Sequence, residues 1–212
     1  MKKNYCIALL LILLSCASFG QSATGLYLVP MIEAGLLNGY QSKTEPYYAD
    51  GGQQFRLGSD VGYMLGDHVG IYSGLSLCFD AADYADQKNV YYLLSHQVLL
   101  ELPLYLRLNV RPGKKVGYFC NLGARVRHTL TGTLDEFDRP TESGISYGKT
   151  RFNKTTFAPF TSVGLRLRIN GTNWCDLGLY GSIGLNDKFA GTVISEKIWS
   201  AGARLAFGIK VK

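Results

Sequence analysis

Residues Gln97–Val110 read QVLLELPLYLRLNV. Every second residue from Val98 is aliphatic: Val98, Leu100, Leu102, Leu104, Leu106, Leu108 and Val110. Between them stand Leu99, Glu101, Pro103, Tyr105, Arg107 and Asn109. A helix would mix these two sets around its circumference, whereas a strand sends them to opposite faces. One face is then continuous hydrocarbon. The other carries a carboxylate, a phenol, a guanidinium and an amide. Such a strand fits poorly in a water-soluble core but suits a wall with lipid on one side and a polar interior on the other.

The same alternation recurs on both sides of this stretch. It predicts strands over Gln53–Leu65 and Val69–Phe79 before it, and over Val116–Thr131, Phe157–Ile169, Trp174–Asn186 and Lys197–Val211 after it. Leu26–Leu37 is a weaker candidate, with poor alternation and Pro30, which lacks the N–H that a closed ladder needs. Eight strands follow. Their connections alternate in length. Gly66–His68, Arg111–Lys115 and Asn170–Asn173 are tight, and Asn170-Gly171 is a strong hairpin signal. Tyr40–Gly52, Asp80–Val90 and Gly132–Thr156 are long and polar, with a moderate connection at Asp187–Ser195. Membrane barrels combine short periplasmic turns with longer external loops. The expected fold is therefore all-β: an eight-stranded antiparallel transmembrane up-and-down β-barrel, with both termini periplasmic. A soluble lipocalin-like barrel would show the same alternation with the aliphatics inward. The length of the aliphatic strips favours lipid.

The N-terminus reads as a secretory signal over residues 1–20, leaving a barrel domain over 21–212. Lys2 and Lys3 precede the apolar run Cys6–Leu14, and Ser18-Phe19-Gly20 places small residues at −3 and −1 before Gln21. A lipoprotein-type site ending in Cys16 is the alternative. Removing the two lysines lowers the net charge from +6 to +4. This modest excess, without a basic run, gives no case for nucleic-acid binding. Outside the leader no segment holds roughly 18 consecutive apolar residues, so helical spans are not expected. Three cysteines remain, Cys78, Cys120 and Cys175, without metal-binding spacing. No cofactor is expected.

The inward set carries Arg56, Asp60, Glu101, Arg107, Arg125, Arg127, Arg166, Arg168, Asp176 and Arg204. Eight strands leave room inside only for side chains. Buried charges must pair, so these residues are expected to form an ion-pair network, with Glu101 binding Arg107, Arg125 or Arg127. An anion site or narrow pore is the functional alternative.

Leu100-Glu101-Leu102-Pro103-Leu104 resembles the "LEIPL" strand pattern of a small outer-membrane β-barrel family that includes PorT-like proteins. Tyr180-Gly181-Ser182-Ile183-Gly184-Leu185-Asn186 is similar to that family's late strand. The resemblance implies a barrel in the outer membrane of a Gram-negative bacterium and supplies no catalytic residues. Some PorT-like members are linked to protein secretion.

Catalysis is tested by the histidines. Nucleophilic chemistry needs a base beside a hydroxyl. His68 falls in a turn, and Ser95 and His96 face opposite ways. His128 has Leu130, not a serine, two positions on. The chain is expected to be a non-enzymatic monomeric barrel in contact with outer-membrane lipid and lipopolysaccharide, and to meet an envelope protein partner if it has one. Its long loops are the expected recognition surface, with Tyr40, Tyr47 and Tyr48 as candidates, since tyrosine offers contact area at low entropic cost. A narrow-pore transport barrel and a secretion component are the alternatives.

Overall fold

The computed structural model describes residues 24–42, 47–86, 91–138, 143–147, 152–170, 172–190 and 196–211. The leader, with the two processing sites, lies outside the described residues. Nine antiparallel strands occur among those described, and no helix: β1 (Gly25–Ser42), β2 (Tyr47–Met64), β3 (Val69–Asp86), β4 (Tyr91–Val110), β5 (Val116–Asp138), β6 (Ser143–Tyr147), β7 (Thr155–Asn170), β8 (Asn173–Ile183) and β9 (Glu196–Val211). Each long strand pairs with its chain neighbours. β1 pairs with β9, and β4 with β5, so eight strands close into an up-and-down ring. The ninth, β6, lies outside the ring and pairs with the far end of β5.

The faces divide as the alternation predicts. Leu104, Leu122 and Leu179 are 62%, 64% and 67% exposed, whereas Arg56, Glu101 and Arg107 are fully buried. The aliphatic set faces out and the charged set faces in. On β3 the outward residues run from Val69 to Phe79. That is about 33 Å of strand at about 3.3 Å per residue, or about 25 Å of barrel height at a tilt near 40°. Aromatic residues border this apolar belt. Tyr63 and Tyr118 are exposed near the tight turns, and Phe55, Phe79, Phe157 and Trp199 towards the other end.

Pro30 and Pro103 sit where the ladder can spare a donor. β1 pairs with β9 through Leu28↔Ile209 and again from Met31↔Ala206, and the gap falls on Val29 and Pro30. β3 pairs with β4 through Ser73↔Leu104 and again from Ser76↔Glu101, leaving Pro103 unpaired on that side. There the Ser73 hydroxyl donates to the Pro103 carbonyl at 2.8 Å.

The long connections differ from the sequence expectation. Tyr40 belongs to β1, and Tyr47 and Tyr48 belong to β2, so only residues 43–46 separate these strands. β3 continues to Asp86, and β5 continues to Asp138 instead of ending at Thr131. β5 does so through a bulge. Val98 pairs with Thr131 and Leu99 with Thr129, which leaves Leu130 as an extra residue. Beyond it the inward positions switch from odd to even, and Gly132 and Leu134 are buried. Above the apolar belt both strand faces contain polar residues. The period-two signal fades there although the backbone ladder continues.

Candidate functional site

The barrel interior is crossed by an ion-pair network. At its centre is Glu33 on β1, fully buried. Its carboxylate binds Arg56 of β2, Arg125 of β5 at 3.0 Å and Arg204 of β9 at 2.6 Å. β5 lies opposite β1 in the ring. The Glu33–Arg125 pair therefore spans the lumen. Arg204 also donates to Asp60 at 3.2 Å, and the Tyr105 hydroxyl donates to the same carboxylate oxygen at 2.7 Å. Arg56 turns its other donors to Glu101 and to Gln54, the latter at 2.9 Å.

Glu101 binds Arg56 and Arg127, with Arg127 Nε at 2.9 Å from its Oε1. Of the three expected partners, Arg127 is its direct cross-strand neighbour. Arg125 goes to Glu33 and Arg107 goes to Asp176. The reason is geometric. An inward arginine reaches across a narrow lumen as easily as to the next strand, so ladder position alone does not choose its partner.

A second cluster lies nearer the tight turns. Asp176 binds Arg107 and accepts from Arg166 Nε at 3.1 Å and Trp174 Nε1 at 2.8 Å. Aromatic rings pack around it. Tyr72 stacks on Tyr105 with centroids 5.4 Å apart, Phe160 meets Tyr105 edge-on, and Tyr27 lies 4.6 Å from Trp174. Rings of this size need space. A Cβ at Gly62 would run into Tyr72, and one at Gly208 into Trp174. Arg168 is half-buried at the same end.

Glu33 is the main omission from the sequence reading. Its strand alternates, but Tyr27, Val29, Met31 and Leu37 on the inner face are as apolar as the outer residues. The alternation is masked. The available signal was the single carboxylate within Leu26–Leu37.

The end away from the tight turns is capped. Phe152 and Phe189 form an isolated β-bridge with rings 5.4 Å apart, and both are buried with Leu37, Tyr84, Leu93, Leu134 and Ile198. Asn153 fixes this cap, donating its side-chain amide to the carbonyls of Asp187 and Phe189 at 2.7 and 3.0 Å. Thr129 anchors it to β5, with its hydroxyl donating to the Asn153 carbonyl at 2.8 Å. The buried Lys188 ammonium lies 5.8 Å from the Tyr84 ring. Phe152, Asn153, Lys188 and Phe189 were also missed, since the sequence reading placed them in loops. Tyr40, Tyr47 and Tyr48 have their backbones near the tip of the β1–β2 hairpin.

The histidines are dispersed. His68 Nδ1 is 2.9 Å from the Asn109 carbonyl in a turn, and His96 points outward. His128 Nδ1 lies 3.3 Å from Thr155 Oγ1 on the exposed outer face. Among the described residues no group of three or more His, Cys, Asp or Glu side chains is placed to hold a metal ion. Cys78, Cys120 and Cys175 are free thiols, and β7 separates the strands of the last two.

No family model matches the chain, and no curated protein does. Solved structures do. The outer membrane protein OprG from Pseudomonas aeruginosa aligns over 90% of this chain and 98% of its own, at 12% identity and a TM-score of 0.50. The likeness is one of fold. Neisserial surface protein A aligns over 88% and 99% at 12% identity, with a TM-score of 0.43. Ail of Yersinia pestis aligns over 87% and 99% at 14% identity and 0.41. These two carry no weight beyond the first.

Proposed function

We propose that this chain is a non-catalytic integral β-barrel of the Gram-negative outer membrane, with a lumen sealed by side chains and a recognition surface at the end away from the tight turns. The distribution of polarity supports this reading most directly. Six fully or nearly buried arginines and the carboxylates that bind them fill the inside, and an apolar belt bordered by aromatics covers the outside. Water could not hold such a surface in solution without association, whereas a bilayer about 30 Å thick at its hydrocarbon core suits the belt. The surrounding partner is then outer-membrane lipid, including lipopolysaccharide, with the tight turns and both termini at the periplasmic side. The test is cell fractionation together with gel migration before and after heating. Recovery in the outer membrane with heat-modifiable migration is expected; recovery as a soluble periplasmic protein would overturn the reading.

A narrow transport pore is the second reading, favoured by the polar lumen alone. Against it stand the cross-lumen pairs and the cap. Planar-bilayer recordings should show no steady conductance. A role in protein secretion, as in PorT-like members, is supported by the Leu100–Leu104 and Tyr180–Asn186 resemblance. Loss of secreted proteins from a strain lacking this chain is the result that such a role requires.

A further inference from the structure

The turn end of the barrel holds a cavity of about 30 Å³ that neither the central network nor the cap uses. Arg166, Arg168, Trp174, Tyr27, Asp67 and Asn173 contribute to its walls. Arg166 is 9% exposed and lies over Trp174, with its guanidinium carbon 4.2 Å from the ring centroid. Its Nε is held by Asp176, but its Nη2 is buried without a hydrogen-bond partner. Leaving a charged donor buried without an acceptor is costly. Asp176 accepts from Arg166 through Nε alone, its other oxygen serving Arg107 and Trp174.

Arg168 follows two residues later on the same face and, like Asp67, Pro112 and Asn173 of the same lining, is half-buried, so the cavity lies at the solvent-facing turn end. Counting Arg107, Arg166 and Arg168 against Asp176 and Asp67 leaves one positive charge in excess (three minus two). Exposed Arg111, Lys114 and Lys115 add to it on the neighbouring turn. A water molecule needs about 10–15 Å³ of such space, so the cavity holds a group of two or three heavy atoms.

We propose that this cavity binds one carboxylate group, entering from the turn end. A carboxylate matches the planar fork of a guanidinium, accepts from the buried Nη2 and neutralises the excess charge. Only the carboxylate itself fits. Anything attached to it must stay outside, beyond the tight turns. Two sources share this chemistry: a free small carboxylate, or the C-terminal carboxylate of a peptide segment. The site depends on the fold alone and stands whether or not the barrel lies in the outer membrane.

Trp174 supplies the readout. The chain has two tryptophans, so Trp199→Phe leaves Trp174 as the sole emitter. The full-length mature barrel in detergent is titrated with formate and acetate at constant ionic strength. A saturable change in Trp174 emission is expected. Arg168→Gln, which keeps the Arg166–Asp176 pair, should weaken it at least tenfold, and Asp67→Asn should strengthen it severalfold. A short peptide with a free C-terminus that binds while its amidated form does not identifies the peptide source; binding of acetate alone identifies the free anion. Linear quenching, equal in all three proteins, would show that the cavity holds only water and would overturn the proposal. If Arg168→Gln fails to give a folded barrel, Asp67→Asn decides, because unchanged affinity there is equally fatal.

Discussion

At the scale of single residues, Glu33 has the largest consequence. One carboxylate neutralises guanidiniums from three strands, including one directly across the ring. Glu33→Gln keeps the shape and removes the charge. Breaking a buried pair from one side typically costs about 3–5 kcal/mol, because the partner charge stays buried. The variant should therefore lose its compact, heat-modifiable form at clearly lower temperature or urea concentration than the parent. An unchanged transition would show that the network is hydrated enough to spare this carboxylate. The outward face makes the complementary prediction. Leu104→Arg places a charge near mid-belt, at a cost of about 2–4 kcal/mol in lipid. Ile145→Arg, on equally exposed β6 outside the ring, should cost less than about 0.5 kcal/mol. Equal refolding yields of the two variants in lipid vesicles would mean that the belt does not face hydrocarbon.

At the scale of elements, the ring and its accessories are separable. Among the described residues β6 pairs only with the far end of β5, over Leu134–Asp138. Removing Ser143–Tyr147 deletes no ring contact, so the heat-modifiable band should persist; its disappearance would make β6 part of the folding unit. The cap is a different kind of accessory. Phe152 and Phe189 bury their rings in the mouth of the barrel, and Asn153 and Thr129 tie them there. Replacing both phenylalanines with alanine removes most of that apolar contact, at about 3 kcal/mol or more for each ring. The segments around residues 152 and 189 should then become open to protease in intact vesicles, while the ring remains folded. Resistance equal to the parent's would place the cap's stability in its backbone hydrogen bonds.

At the scale of the whole molecule, closure and filling go together. A ring of eight strands is only wide enough for side chains, and the cross-lumen pairs fix its cross-section. Opening the cap should therefore not produce a channel. The Phe152→Ala, Phe189→Ala double variant is expected to stay electrically silent in planar bilayers, the same outcome expected of the parent. Steady conductance in the variant alone would show that the cap, and not the ion-pair core, seals the lumen.

The sequence by itself determined which residues share a face, because side chains in a strand alternate with a period of two and the chain keeps that period through Gln97–Val110 and its neighbours. It also determined where the chain reverses tightly, since Arg111-Pro112-Gly113 and Asn170-Gly171 favour turn geometry. Inside-versus-outside followed from cost: arginines fit a lumen they can share with carboxylates, and a row of leucines fits lipid. Three things were left to the tertiary structure. The partner of each buried charge depended on distances across a closed ring, which is why Glu101 met Arg56 and why Glu33, masked in an apolar strand, became the centre. Strand length beyond the belt depended on ladder hydrogen bonds, which leave no mark in hydropathy once both faces are polar. The cap joined residues 152 and 189; the β7–β8 hairpin sets these segments side by side beyond Phe160↔Ser182, but only closure of the ring puts Leu37, Tyr84 and Leu93 from the other strands around them.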